Sequence, residues 1–248
     1  MTAGIAIVTG GGAGLGREIA LGLARSGHGV VIADTDPAAA QACAQSIAAL
    51  GVPARAVDGD IRIPAEAERV VRTAAEMGGP GVLVNNAGGW TPERQYPVAA
   101  PAEWAATIAL NLTAPMLLSQ LVLEPMRDLG GGAIINIAST AGIASDPYES
   151  PEYGAAKAGL VRFTTSSAGL ADSHRVRMMC VVPDWIGLDR ARAQWAAMSP
   201  DRQAATRPLI PPEDIVTVVL DLVRDGKPGT VVEMLGGERP RVRPQRSS

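Results

Sequence analysis

The stretch PEYGAAKAG, residues 151 to 159, sets Tyr153 four positions before Lys157. On a helix that spacing puts both side chains on one face. A free phenol has a pKa of about 10, too high for an effective base near neutrality. A neighbouring ammonium favours the phenolate, so the pair could take or give the proton of a hydroxyl group. Lysine is scarce here: the chain has Lys157 and Lys227 against twenty arginines. Tyr148, five residues before Tyr153, has Glu152 at its fourth following position. A carboxylate there raises a phenol pKa, so Tyr153 is the candidate acid/base and Lys157 its activator. The competing reading is a pair on a helix surface with no chemistry.

A second constellation lies at the N-terminus. VTGGGAGLGREIALGLA reads as a strand, a glycine turn and a helix. Glycines let backbone N–H groups approach a phosphate, and the helix N-terminus adds partial positive charge. The spacing Gly10-x-x-x-Gly14-x-Gly16 is neither the common G-x-G-x-x-G template nor a P-loop. Asp34 ends the next apolar run, 18 residues after Gly16, where a ribose-binding acid is expected. It can accept from both adenosine ribose hydroxyls and repels a 2′-phosphate. Ala13 and Thr35 are not basic and Asp36 adds negative charge, so NAD is favoured over NADP.

These groups need a scaffold that brings strand ends together. Short β-branched runs recur, among them IAIVTG, GVVIAD, GVLVNNAG, GAIINIAS and TVVEML, separated by alanine-rich segments of helical length. One such segment has Asp36 as N-cap, Pro37 at the first helical position and Gly51 past the end. Alternating strands and helices predict an α/β fold: one Rossmann-type doubly wound parallel sheet of seven strands, with helices on both faces. Long helices are expected over 101–128 and 152–172. Residues 1–237 form the expected domain and 238–248 a basic tail.

Composition removes several alternatives. The net charge of −3 across 248 residues gives no electrostatic case for nucleic acid or an anionic membrane. The basic run is confined to the end, where Arg239, Arg241, Arg243 and Arg246 form a solvated tail or a contact with an anionic partner or neighbouring subunit. Cys43 and Cys180 make no disulfide framework, and His28 and His174 form no metal-ligand cluster. No signal-peptide pattern or uninterrupted spanning apolar run is visible. The expected compartment is cytoplasmic.

TGGGAGLG, NNAG, NIAST and YGAAK, in this order, resemble the short-chain dehydrogenase/reductase family from about residue 4 to 236. The resemblance implies a nicotinamide-dependent oxidoreductase, with Tyr153 and Lys157 also contacting the cofactor. It assigns Gly10, Gly14, Leu15 and Gly16 to the pyrophosphate turn and Asp34 to the ribose. Asp60 and Ile61 flank the adenine; Asn85, Ala87 and Gly88 line the cleft. It assigns Ser139 to the substrate oxygen, although Thr140 fits the commoner spacing to tyrosine. Asn111, within ALNLTAP, matches an asparagine that carries a water between lysine and solvent. Family members pair long helices between subunits, implying a homodimer or homotetramer.

One loop departs from the family pattern, with Met179, Pro183-Asp184 and Leu188 where asparagine, Pro-Gly and threonine are usual. Either Pro183 and the backbone from Ile186 to Leu188 still hold the cofactor while Asp184 reads a polar substrate group, or the chain binds NAD as a low-activity sensor or scaffold. The substrate pocket is expected from Trp90, the loop 91–97, Ile143 to Tyr148, and Trp185 to Met198, including Trp195. That lining suits a hydrophobic or cyclic secondary alcohol or its ketone. The C-terminal segment resembles that of NAD-dependent alcohol-oxidising members and, with Asp34, favours oxidation; the alternative is an NADPH-linked ketone or 3-oxoacyl reductase.

Overall fold

The apolar runs become strands β1 (Ile5–Thr9), β2 (Val30–Asp34), β3 (Ala54–Asp58), β4 (Pro80–Asn85), β5 (Gly132–Ile137), β6 (Val176–Pro183) and β7 (Val231–Met234). The computed structural model describes residues 4–92, 94–145 and 147–244. These seven strands are parallel, in the order β3-β2-β1-β4-β5-β6-β7. β1 is buried on both faces, as a central parallel strand must be.

The sheet has one strand more than the expected seven. β8 (Arg241–Val242) pairs antiparallel with β7, inside the segment read as a basic tail. Arg241 reaches Glu233 at 2.7 Å and Arg243 reaches it at 3.6 Å, so two of the tail's arginines have a carboxylate on the sheet edge. Arg246 lies outside the described residues.

Side chains alternate across the sheet. Ala6 and Val8 face α1 (Gly14–Arg25), α2 (Pro37–Ala48) and α10 (Pro212–Asp225) through Ile19, Leu23, Ile47, Ile215 and Val219. Ile5 and Ile7 face the other layer, α3 (Pro64–Glu76) and α5 (Ala114–Asp128), through Val70, Leu118, Val122 and Met126. Asp36 caps α2 through bonds from the backbone of Ala38 and Ala39, as its sequence position required.

The expected helix over 101–128 is α4 (Pro101–Ile108), a π-helical turn at Ala109–Thr113, and α5. Pro115 has no N–H to give the carbonyl four residues back, that of Asn111, and the wider turn occurs there. This run is long and apolar enough to cross a bilayer by composition, yet Leu118, Val122 and Met126 are fully buried against the sheet. The second long helix is shorter than expected. α6 (Pro151–Ser166) stops, and α7 (Leu170–His174) resumes beyond Gly169. The chain then forms α8 (Asp189–Ala196) and α9 (Pro200–Ala205) after β6.

Candidate active site

A cavity of about 590 Å³ lies beyond the carboxyl ends of the strands, where open α/β sheets bind ligands. Gly10, Gly14, Leu15 and Gly16 line it, in the turn between β1 and α1. Gly10 and Gly14 have positive φ, 60° and 53°. A β-carbon on Gly16 would sit 2.0 Å from the Gly10 carbonyl oxygen, so no other residue fits there.

Asp34 lines the same end of the cavity and is tied to the turn. Its carboxylate accepts from the backbone N–H of Gly12 at 2.8 Å and of Asp36 at 3.1 Å. Asp60 and Ile61 line the cavity after β3. Arg62, which the sequence reading missed, lines it too and donates from Nε to Asp60 at 2.9 Å. That hydrogen bond holds the Asp60 carboxyl below its ordinary range. The only sequence signal for Arg62 is its place two residues after Asp60.

The NNAG segment divides its labour differently from expectation. Ala87 and Gly88 line the cavity, but Asn85 does not. Asn85 is buried and donates to Asn136 Oδ1 at 2.8 Å and Ser119 Oγ at 3.2 Å, because strand alternation turns it into the sheet interior. Asn86 takes the cleft position, donating to the carbonyls of Thr9 at 2.9 Å and Gly10 at 3.2 Å.

At the other end, Ser139, Tyr153 and Lys157 share the cavity wall. Ser139 Oγ accepts from the Ala141 N–H at 3.2 Å, while Thr140 turns away to donate to Asp184 Oδ1 at 3.1 Å. Two hydroxyls adjacent in sequence thus face different partners. Lys157 is buried and donates from Nζ to the Ile137 carbonyl at 2.8 Å. Burial draws its ammonium down to about 8.

Tyr153 is displaced the other way. Burial pushes its phenol up to about 12, against the hydrogen bond from Ser139, and Tyr148 adds to the rise. The expected depression by Lys157 is therefore not a property of these side chains alone. The lysine lies 5.6 Å from the ring centre with its hydrogen bond directed to Ile137, and desolvation prevails.

Asn111 is fully buried beside the cavity. It joins the π turn to the segment after β4: Nδ2 donates to the Gly89 carbonyl at 2.7 Å, and Oδ1 accepts from the Gly89 N–H at 3.0 Å. A β-carbon on Gly88 would meet Asn111 Oδ1 at 2.7 Å and Lys157 Nζ at 3.0 Å. Asn111, Gly88 and Lys157 are thus packed as one unit.

Pro183, Asp184, Ile186 and Leu188 line the cavity after β6. The backbone N–H groups of Gly187 and Leu188 already donate, to the Ile210 carbonyl and the Ile186 carbonyl, both at 2.8 Å. Of the residues expected on the substrate side, Asp184, Ile186 and Leu188 line this cavity, whereas Trp90, Ile143, Tyr148, Trp185 and Trp195 do not.

Four aromatic residues expected on the substrate side form two groups. The Tyr148 ring stacks on Tyr153 with centres 5.8 Å apart, and Trp90 meets Tyr148 edge-on at 6.3 Å. Trp185 packs on Trp195 at 6.0 Å, joining α8 to the end of β6. Ile143 packs against the small core cluster around Leu160 and Val182 instead of lining the cavity. Glu93 and Asp146, within the expected substrate loops, lie outside the described residues. Tyr148 precedes α6, so helical spacing does not bring Glu152 to it. The buried Glu152 carboxylate instead accepts from the Tyr96 N–H at 3.3 Å.

A family model for short chain dehydrogenase matches residues 4–198. The chain belongs to the short-chain dehydrogenase family. Among its relatives, an uncharacterised oxidoreductase of Thermotoga maritima is 33% identical, covering 92% of this chain and 91% of its own. A 3-oxoacyl-[acyl-carrier-protein] reductase of Synechocystis is 36% identical, covering 76% of each. A 7α-hydroxysteroid dehydrogenase structure, in complex with NADH and 7-oxo glycochenodeoxycholic acid, superimposes with TM-score 0.84 at 28% identity. It covers 97% of this chain and 96% of that one. This short-chain dehydrogenase is accordingly an oxidoreductase of a family that acts on alcohol and carbonyl carbons with a nicotinamide cofactor.

Proposed function

We propose that this protein is a NAD(H)-dependent dehydrogenase moving a hydride between the cofactor and a secondary alcohol or its ketone. The observation that carries the reading is one cavity with Asp34 at one end and Ser139, Tyr153 and Lys157 together at the other. The glycine turn fits a pyrophosphate, because Gly16 lies too close to Gly10 for any side chain. Asp34, steadied by two backbone N–H groups, keeps lone pairs for ribose hydroxyls. Gly88, Tyr153 and Lys157 would hold the cofactor's reactive half. When bound, the nicotinamide supplies the hydride acceptor or donor and, oxidised, a positive charge.

Tyr153 takes the hydroxyl proton in oxidation and returns it in reduction, while Ser139 holds the same oxygen. Burial leaves the Tyr153 phenol near 12, so it needs added positive charge to ionise. Lys157 supplies part of that charge while protonated. Trp90 and Tyr148 form an aromatic rim beside Tyr153, suiting a ring or apolar body on the substrate.

The assembly proposed is a homodimer or homotetramer. An apolar hollow of about 660 Å³ between α5 and α6, lined by Leu117, Leu123, Phe163 and Leu170, supports that reading. A second functional reading, NAD binding with poor turnover, draws on the engaged backbone of Gly187 and Leu188 and on Leu188 where a threonine is usual in the family.

Titration with NADH and, separately, NADPH, followed by tryptophan quenching, tests the proposal. Tight NADH with weak NADPH binding, followed by alcohol oxidation that Tyr153→Phe abolishes, is the expected outcome. Equal or tighter NADPH binding would move the reductase reading to first place. NADH binding without turnover of any alcohol or ketone leaves the sensor.

A further inference from the structure

Asp184 stands where the family pattern has glycine, at the catalytic end of the cavity. The cavity wall carries three carboxylates, Asp34, Asp60 and Asp184, and two cations, Arg62 and Lys157. Arg62 is paired with Asp60, and Lys157 directs its hydrogen bond to Ile137. Asp184 takes part in no ion pair among the described residues. Thr140 donates to Oδ1 at 3.1 Å, and the Asp184 N–H is fixed on the Met234 carbonyl at 2.9 Å. The carboxylate is thus anchored at both backbone and side chain, half-buried, and has lone pairs left for a donor.

We propose that Asp184, oriented by Thr140, determines substrate specificity: it favours substrates with a hydroxyl or ammonium group beside the carbinol carbon and excludes those with a carboxylate there. The proposal rests on the dehydrogenase reading above for the place of the carbinol carbon, next to Tyr153 and Ser139. A fixed carboxylate in a partly desolvated wall repels a second one and gains a charge-assisted hydrogen bond from a donor. Such a site works by rejection as much as by attraction. Glycine at this position supplies neither effect.

Four ring compounds differing only beside the carbinol are the probes: cyclohexanol, 1,2-cyclohexanediol, 2-aminocyclohexanol and 2-hydroxycyclohexanecarboxylate. Their dissociation constants are measured by tryptophan emission, with Trp185 adjacent to Asp184, in the free protein and in its NADH complex. The diol and the amine should bind about tenfold to a hundredfold more tightly than the carboxylate, the scale of a hydrogen bond to a charged acceptor. Asp184→Asn, which keeps an acceptor for Thr140, should narrow that spread to within about threefold at unchanged melting temperature. Thr140→Val should weaken the diol and the amine while the carboxylate stays excluded. A ranking that Asp184→Asn leaves unchanged, one led by the carboxylate, or no binding by any of the four overturns the proposal. If NADH fails to bind while the ranking and its response to Asp184→Asn hold in the free protein, the cofactor reading falls and the role of Asp184 stands.

Discussion

The Lys157 ammonium lies 5.6 Å from the centre of the Tyr153 ring and gives its hydrogen bond to the Ile137 carbonyl, not to the phenol. Burial moves the two groups in opposite directions, the phenol up to about 12 and the ammonium down to about 8. Each shift disfavours the charge state that proton transfer requires. The fold therefore carries a stability cost at its own catalytic wall.

That cost is measurable through Lys157→Met. The folded value, about 8, lies below the ordinary 10.5, so the unfolded chain binds more protons between those pH values. Stability therefore rises with pH across that window and is lowest, for this group, below about 8. The penalty is about 3 kcal/mol, and the methionine also loses a hydrogen bond of about 1 kcal/mol. The variant should be more stable than wild type at pH 7 by about 2 kcal/mol, or roughly 4–8 °C in melting temperature. The advantage should shrink between pH 8 and 10.5. Melting curves at both ends of the window check this; a variant less stable at pH 7 refutes it.

Tyr153→Phe removes the proton carrier and little else. Turnover should fall about a thousandfold, the scale of general acid–base catalysis, with NADH affinity within about threefold. Oxidation needs the phenolate and reduction the phenol. Below the phenol's pKa in the cofactor complex, kcat/KM for oxidation should climb about tenfold per pH unit while reduction stays flat. Parallel profiles in the two directions would remove Tyr153 from the role.

The strands, the glycine turn and the Tyr–Lys pair were legible because each rests on local chemistry. β-branched runs, glycine at positive φ and a four-residue helical spacing are all visible within a few neighbours. β8 was not legible, since its partner Glu233 is met only through folding. The shift of Tyr153 is not legible for a related reason: sequence spacing shows the lysine, whereas burial, which prevails among these side chains, is a tertiary quantity. Asn85 and Asn86 look equivalent in sequence, and only strand alternation sends one into the sheet and the other into the cleft. Arg62 carries no motif of its own, and only folding turns it onto Asp60 at the cavity wall.

Gly88→Ala tests the packed unit of Asn111 and Lys157. A new methyl 2.7 Å from Asn111 Oδ1 and 3.0 Å from Lys157 Nζ forces both side chains to move. The stability loss should be about 1–3 kcal/mol, the usual cost of overpacking. Displacing a positioned ammonium should lower turnover by about a hundredfold, more than that stability loss accounts for at 25 °C. Activity and melting temperature measured on one preparation separate the two effects. Wild-type turnover in a folded variant would show that the lysine position is not critical.

Asp34 and Arg62 make opposing contributions at the adenosine end, and one double variant separates them. Asp34→Asn keeps one acceptor oxygen, enough for the Gly12 N–H that ties this side chain to the glycine turn, while the Asp36 N–H loses its partner and the charge facing a 2′-phosphate is gone. The ratio of NADPH to NADH dissociation constants should then fall by at least about tenfold. Arg62 is held by Asp60, and its charge becomes useful to a phosphate only once Asp34 no longer opposes it. Arg62→Ala in the Asp34→Asn background should therefore reverse most of the gain in NADPH binding and leave NADH nearly unchanged. If Asp34→Asn alone leaves the ratio where it was, discrimination does not come from this carboxylate.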